Sequence, residues 1–197
     1  MFSRSAFSPP GGPTGLSRLP RIAALCLAAP VAAWAGTPSS GELTPEATTL
    51  EYTVGPFTVS NPAANATDGP VCNAAAACDS YKLTVTLPAG SAFSRARIST
   101  AWPEGSASDY DLYVFSGERG DLDGTATPDA GSSAGSGNPE STVISLTPGT
   151  SAVYTIKVVP FAVVPDEVVT GTITLIADSG GGGGDGPSCA VPAGVRP

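Results

Sequence analysis

Ser108-Asp109-Tyr110-Asp111-Leu112-Tyr113-Val114-Phe115 reads with a period of two. In a β-strand, successive side chains point to opposite faces. Tyr110, Leu112 and Val114 therefore share one face, and Asp109, Asp111, Tyr113 and Phe115 share the other. The first face reads as core. The second carries two carboxylates and two aromatic rings, an odd load for a plain solvent face. It is the candidate surface for calcium or another ligand.

The same period runs through the surrounding chain. Tyr81, Leu83, Val85 and Leu87 alternate with Lys82, Thr84 and Thr86, and Ala96, Ile98, Thr100 and Trp102 alternate with Arg95, Arg97 and Ser99. Tyr154, Ile156 and Val158 form a third set, and Val169, Gly171, Ile173 and Leu175 a fourth. Weaker strands fall at 50–59 and 141–146. Pro- and Gly-rich turns separate them, at Pro88-Ala89-Gly90, Pro103-Glu104-Gly105, Pro148-Gly149 and Pro165-Asp166. No window carries a helical stripe with caps. Short strands in this number, about seven to nine, each with one apolar face, predict an all-β fold: two antiparallel sheets packed as a β-sandwich. Trp102 closes its strand on the apolar side and is expected in the core.

The two ends differ from this window. Arg4, Arg18 and Arg21 precede an apolar stretch from Ile22 to Val31, and Ala33-Trp34-Ala35 is an A-x-A cleavage pattern before Gly36. Residues 1–35 are thus expected to be a cleaved signal peptide and the chain to be secreted outside the cell or into the periplasm. The apolar run is too short to span a bilayer, so no transmembrane span is expected in the mature chain. Cys26 follows Leu25 rather than a small residue and does not read as a lipoprotein cysteine. Residues 36–48 read as a flexible leader, 49–178 as the sandwich domain, and 179–197, with Gly180 to Gly184, as a disordered Gly-rich tail.

Charge and composition exclude more than they select. The whole chain carries −8, and loss of the leader removes three arginines and no acid. Six basic and seventeen acidic residues remain, a net charge of −11. Nucleic acid and anionic membrane would repel such a surface. There is no histidine, which removes Ser-His-Asp and Cys-His catalysis and histidine-type zinc sites. Cys72 and Cys78, with five residues between them, are expected to pair in an oxidising compartment. Cys189 is left over beyond the glycine run, and Asn65-Ala66-Thr67 is a lone glycosylation sequon.

Asp109 and Asp111 are the strongest metal candidates. Same-face neighbours on a strand are roughly 6.6 Å apart, close enough to converge on one cation. Calcium takes six to eight oxygens. Asp79, Glu140, Asp121 and Asp123 could supply others. Asp121-Leu122-Asp123-Gly124 resembles part of an EF-hand loop, but no register supplies the bidentate glutamate at position twelve, so a turn is the better reading. Carboxylate pairs also serve glycoside hydrolysis, yet nothing in the sequence marks a cleft, and no enzyme activity is expected. Tyr113 and Phe115 either tuck under the long 117–139 loop or form a platform for sugar or peptide. The Ala-Gly-Ser composition of 130–137 points to disorder at the far end of that loop.

Between roughly residues 68 and 177 the chain resembles the bacterial pre-peptidase C-terminal domain. The resemblance rests on Cys72, Cys78-Asp79, the strand 81–87, Trp102, Asp109-Tyr110-Asp111-Leu112-Tyr113-Val114, Pro139-Glu140 and the run from Tyr154 to Phe161. It implies a jelly-roll-like β-sandwich without catalytic residues. Such domains accompany secreted proteases and other exported enzymes and help export, positioning or substrate attachment, and some relatives bind calcium or collagen. An extracellular protein or polysaccharide is the expected partner, and a carbohydrate-binding module using Tyr113 and Phe115 is the alternative reading. No peptidase domain is present in this sequence.

Overall fold

The structure is a computed structural model that describes residues 36–62 and 69–178. The expected signal peptide with Cys26, the sequon at Asn65, and the Gly-rich tail with Cys189 lie outside the described residues.

The described residues form no helix, and their strands follow the alternating segments. They are β1 (Ser40–Leu43), β2 (Thr49–Val54), β3 (Val71–Cys72), β4 (Asp79–Thr86), β5 (Phe93–Ala101), β6 (Asp109–Ser116), β7 (Leu122–Asp123), β8 (Gly131–Ser133), β9 (Glu140–Ser145), β10 (Ser151–Ala162) and β11 (Val169–Ala177). One sheet runs β1-β4-β10-β6-β8, and the other runs β2-β11-β5-β9. A small third ladder joins β3 to β7. The all-β sandwich expected from the period of two is present. All ladders are antiparallel except that β1 lies parallel to β4.

Two segments depart from expectation. The 36–48 stretch, read as a flexible leader, supplies β1, whose Leu43 is fully buried against the core. The 130–137 stretch, read as disordered, supplies β8, which pairs Gly131 with Val114 and Ser133 with Leu112 at the end of the sheet. Short edge strands of small and polar residues carry little apolar period, so composition hides them.

The core sits between the two large sheets. Tyr81, Leu83 and Val85 of β4, Tyr110, Leu112 and Val114 of β6, and Ile156 and Val158 of β10 face Ala96 and Ile98 of β5 and Ile173 and Leu175 of β11. Trp102 joins them as expected, tilted against Tyr110 with ring centroids 5.2 Å apart. Tyr52 stacks on Tyr81 at 4.0 Å. That packing depends on Gly171, opposite Tyr52 in the ladder, because a Cβ there would stand 2.2 Å from the Tyr52 ring.

β6 and β10 break the half-buried pattern of the other strands. They are buried on both faces, continuously from Tyr110 to Phe115 and from Tyr154 to Pro160. The outer face carries a second, smaller core of Cys72, Cys78, Tyr113, Phe115, Leu122 and Val159. The β3–β7 ladder and the Cys72–Cys78 disulfide form its lid. Asn61 ties the lid down: its side-chain N–H donates to Val71 O at 2.8 Å and Ala77 O at 3.3 Å. The expected disulfide is therefore present, with Cα atoms 5.4 Å apart.

Candidate functional site

The acidic-aromatic face of β6 divides into two halves. Tyr113 and Phe115 lie under the lid at 0% exposure, so neither ring offers a face to a sugar or peptide. The platform reading of these two residues lacks a surface. The alternative, that they tuck beneath the long loop, is the arrangement found. The loop starts at Gly117 and Arg119, which bracket Thr155: Arg119 N–H donates to Thr155 Oγ1 at 2.9 Å, and that hydroxyl donates to Gly117 O at 2.9 Å.

The other half keeps its charge. Asp111 is 7% exposed, and Asp109 at the start of the strand is half-buried. Glu140, the first residue of β9, is 3% exposed. β8 packs against β9 and carries the edge of one sheet over to the other, which brings Glu140 toward the start of β6. Burial pushes the Asp111 carboxyl up to about 6, and the charges of Asp109 and Glu140 push the same way. The Tyr113 hydroxyl opposes them weakly, donating to Asp111 Oδ2 at a long 3.4 Å. Burial, then the Asp111 charge, raises Tyr113 in turn. Asp109 is raised by burial as well, and its Oδ1 is buried with no hydrogen-bond partner. Glu140 Oε1 accepts one bond, from Gly135 N–H at 3.1 Å. Three carboxylates thus share a corner without a cationic side chain paired to any of them among the described residues.

The remaining metal candidates stand elsewhere. Asp79 is 1% exposed at the start of β4 on the inner face, where Oδ2 accepts Gly55 N–H at 2.9 Å. Burial pushes it up to about 6, against the pull of the Gly55, Gly36 and Ser80 N–H groups and of the Lys157 charge. Asp121 is exposed and acts electrostatically on Lys157, a buried amine that burial lowers and Asp121 and Asp79 hold up. Asp123 closes a turn, accepting Thr125 N–H at 3.1 Å and Thr125 Oγ1 at 2.6 Å, and the Thr125 bonds lower it. The turn reading of 121–124 fits this geometry. Of six predicted carboxylates, Asp109, Asp111 and Glu140 act on one another electrostatically.

The donor set at the corner is all hard oxygen, and Asp109 Oδ1 is an orphan acceptor, both of which suit calcium better than a softer metal. As the side chains stand, no group of three or more His, Cys, Asp and Glu among the described residues is arranged to hold a metal ion. Two surface grooves, one of about 220 Å³ beside Phe57, Val59 and Ala75 and one of about 530 Å³ beside Pro45, Pro88 and Gly149, include none of the three carboxylates. Sequence reasoning missed the Ser106–Ser108–Glu167 cluster, where both hydroxyls donate to one carboxylate and Ser108 Oγ also accepts Val164 N–H at 2.8 Å. No spacing rule links Glu167 to two serines some sixty residues earlier; the cluster latches two loops at the Trp102 end of the sandwich.

Among the described residues no helix is long and apolar enough to cross a membrane. No protein-family model and no curated protein matches the chain. Among solved structures, the chain is similar to the copper-binding protein CorA, surface-associated and important in copper acquisition in Methylomicrobium album BG8. The match has 12% sequence identity, covers 70% of this chain and 98% of that one, and gives a TM-score of 0.37. The fold of this chain therefore rests on its own ladders and core: an all-β sandwich with a disulfide-locked lid over one outer face.

Proposed function

We propose that the chain is an exported, non-catalytic β-sandwich module that binds or positions an extracellular partner, with a hard divalent cation such as calcium at its acidic corner. The observation that supports the cation is the repulsion of Asp111 by Asp109 and Glu140, none of which has an ion-pair partner among the described residues. Like charges in a half-buried corner repel, and a cation turns that repulsion into attraction. Asp109, Asp111 and Glu140 would hold it, with carbonyls and water completing the shell. The same Asp-x-Asp-Leu-Tyr-Val run carries the resemblance to the pre-peptidase C-terminal domain, which supports a binding rather than a catalytic role. The absence of histidine from the chain supports the same reading.

The test is thermal melting in EDTA and in 10 mM calcium chloride. A ligand that binds the native state alone must raise stability, by about 2.7 kcal/mol at a hundredfold excess over Kd. At this chain length that is a rise of about 5 °C or more. Asp111→Asn should abolish the rise. An unchanged melting temperature of the parent protein in calcium would sink the site.

A further inference from the structure

We infer that removal of residues 1–35 sets the free α-ammonium group of Gly36 against the buried carboxylate of Asp79, forming an ion pair that only the processed chain possesses. The inference rests on the export reading above and adds a consequence to it. The cleavage consumes one water across the Ala35–Gly36 peptide bond. Ala35 keeps the new carboxylate, and the Gly36 nitrogen takes up a proton as an ammonium. A signal peptidase supplies the catalyst.

The place prepared for that nitrogen is specific. Thr37 N–H donates to Thr53 O at 2.9 Å and Thr53 N–H donates back to Thr37 O at 3.0 Å, which holds Gly36 at the end of β2. Gly36 is buried there. A Cβ on it would stand 2.8 Å from Tyr52 Cδ2 and 3.2 Å from Asp79 Oδ1, so a larger residue does not fit and the glycine backbone lies directly beside the carboxylate. Asp79 Oδ1 has no hydrogen-bond partner of ordinary geometry, although the Gly36 N–H lies near enough to favour the ionised carboxylate.

The surroundings of Asp79 leave it short of positive charge. Tyr52 from β2, stacked on Tyr81 of β4, faces it as a neutral ring, and Gly55 N–H bonds the other oxygen. Lys157 of β10 acts on it only as a more distant charge and forms no ion pair with it. A buried carboxylate with an oxygen that accepts no hydrogen bond and no paired counter-charge is costly, and a charge-assisted bond is the strongest available remedy. In the precursor the Gly36 nitrogen is a neutral amide with one N–H. After cleavage it is a cation with three. The predicted cleavage point thus lies directly beside the buried carboxylate of Asp79.

The experiment uses the exported chain as its host secretes it. N-terminal sequencing should read Gly-Thr-Pro-Ser, beginning at Gly36. A different first residue overturns the inference together with the cleavage reading. With Gly36 first, the α-amine is acylated with acetic anhydride across a pH series and located by mass; Lys82 and Lys157 are the only competing amines. An ion pair holds the proton, so the rate inflection should move above the ordinary α-amine value of about 8, and at pH 8 the amine should react about tenfold more slowly than in urea-unfolded chain. Burial alone would move the inflection downward. A downward or absent shift overturns the ion pair while leaving the export reading intact. Asp79→Asn should return the inflection to its ordinary value, and a raised inflection that survives in that variant also overturns the pair.

Discussion

At the scale of single residues, Gly171 shows how much of this core depends on an absent side chain. The Tyr52 ring lies over it, and a methyl group there would need the ring, and with it the Tyr52–Tyr81 stack, to move. Gly171→Ala is expected to destabilise the protein by about 2 kcal/mol, the usual cost of overpacking. At about 2–4 °C per kcal/mol, a melting curve will show it readily; an unshifted curve would mean that the stack is loose. The alternation that includes Gly171 was readable in the sequence, but its reason was not, because nothing in a linear pattern says which ring from another strand will cover it. Asp79 makes the same point. Its carboxylate answers to the backbone N–H of Gly55, and backbone groups leave no mark on composition. Asp109 and Asp111 were legible through strand parity, whereas Glu140 joins them only because β8 bridges the two sheets at that edge.

At the scale of elements, the lid decides what β6 can do. Period-two reasoning separated the two faces of the strand correctly. It had no means of assigning the outer aromatics, because the segments that cover them, Val71 to Cys78 and Leu122 to Ala126, are short and rich in alanine and glycine. Replacing Cys72 and Cys78 together by serine should cost roughly 2 kcal/mol in the chain-entropy model for so short a loop. Loss of the lid would also uncover Phe115, so the double variant should bind a hydrophobic dye that the parent does not. Dye binding equal to that of the parent would show that the Asn61 bonds alone hold the lid in place. β1 is the counterpart at the opposite edge. It was hidden in a Pro/Ser/Thr-rich stretch, yet it carries Leu43 into the main core. Leu43→Ala should cost about 2–5 kcal/mol, a loss that a mere leader would not show in a denaturation curve.

At the scale of the whole molecule, acid should stabilise the cation-free protein before it unfolds it. Asp111 titrates at about 6 when folded, well above the ordinary carboxylate value it regains on unfolding. Between those two values the folded chain binds the proton more tightly. Stability therefore rises as pH falls from about 7 toward 4, and is lost again as pH climbs through 6. Melting temperatures in EDTA at pH 7 and pH 5 should differ in that direction, and Asp111→Asn should reduce the difference, leaving the share that buried Asp79, also pushed up to about 6, contributes. Calcium should reverse it, since proton and cation would compete for one carboxylate. A parent protein that melts lower at pH 5 than at pH 7 in EDTA would contradict the repulsion assigned to this corner.

The strand order has a temporal side as well. No two strands adjacent in the chain pair within either large sheet; the nearest in sequence that do are β6 and β8, with β7 between them. The joining strands are β10 and β11, the last two to be synthesised. Without β10 the five-stranded sheet is two separate pairs, and without β11 nothing connects β2 to the β5–β9 pair. Pairings between distant segments close late and slowly. Neither large sheet is therefore joined until β10 and β11 have been made, and the two C-terminal strands act as the closing stitch for everything made before them.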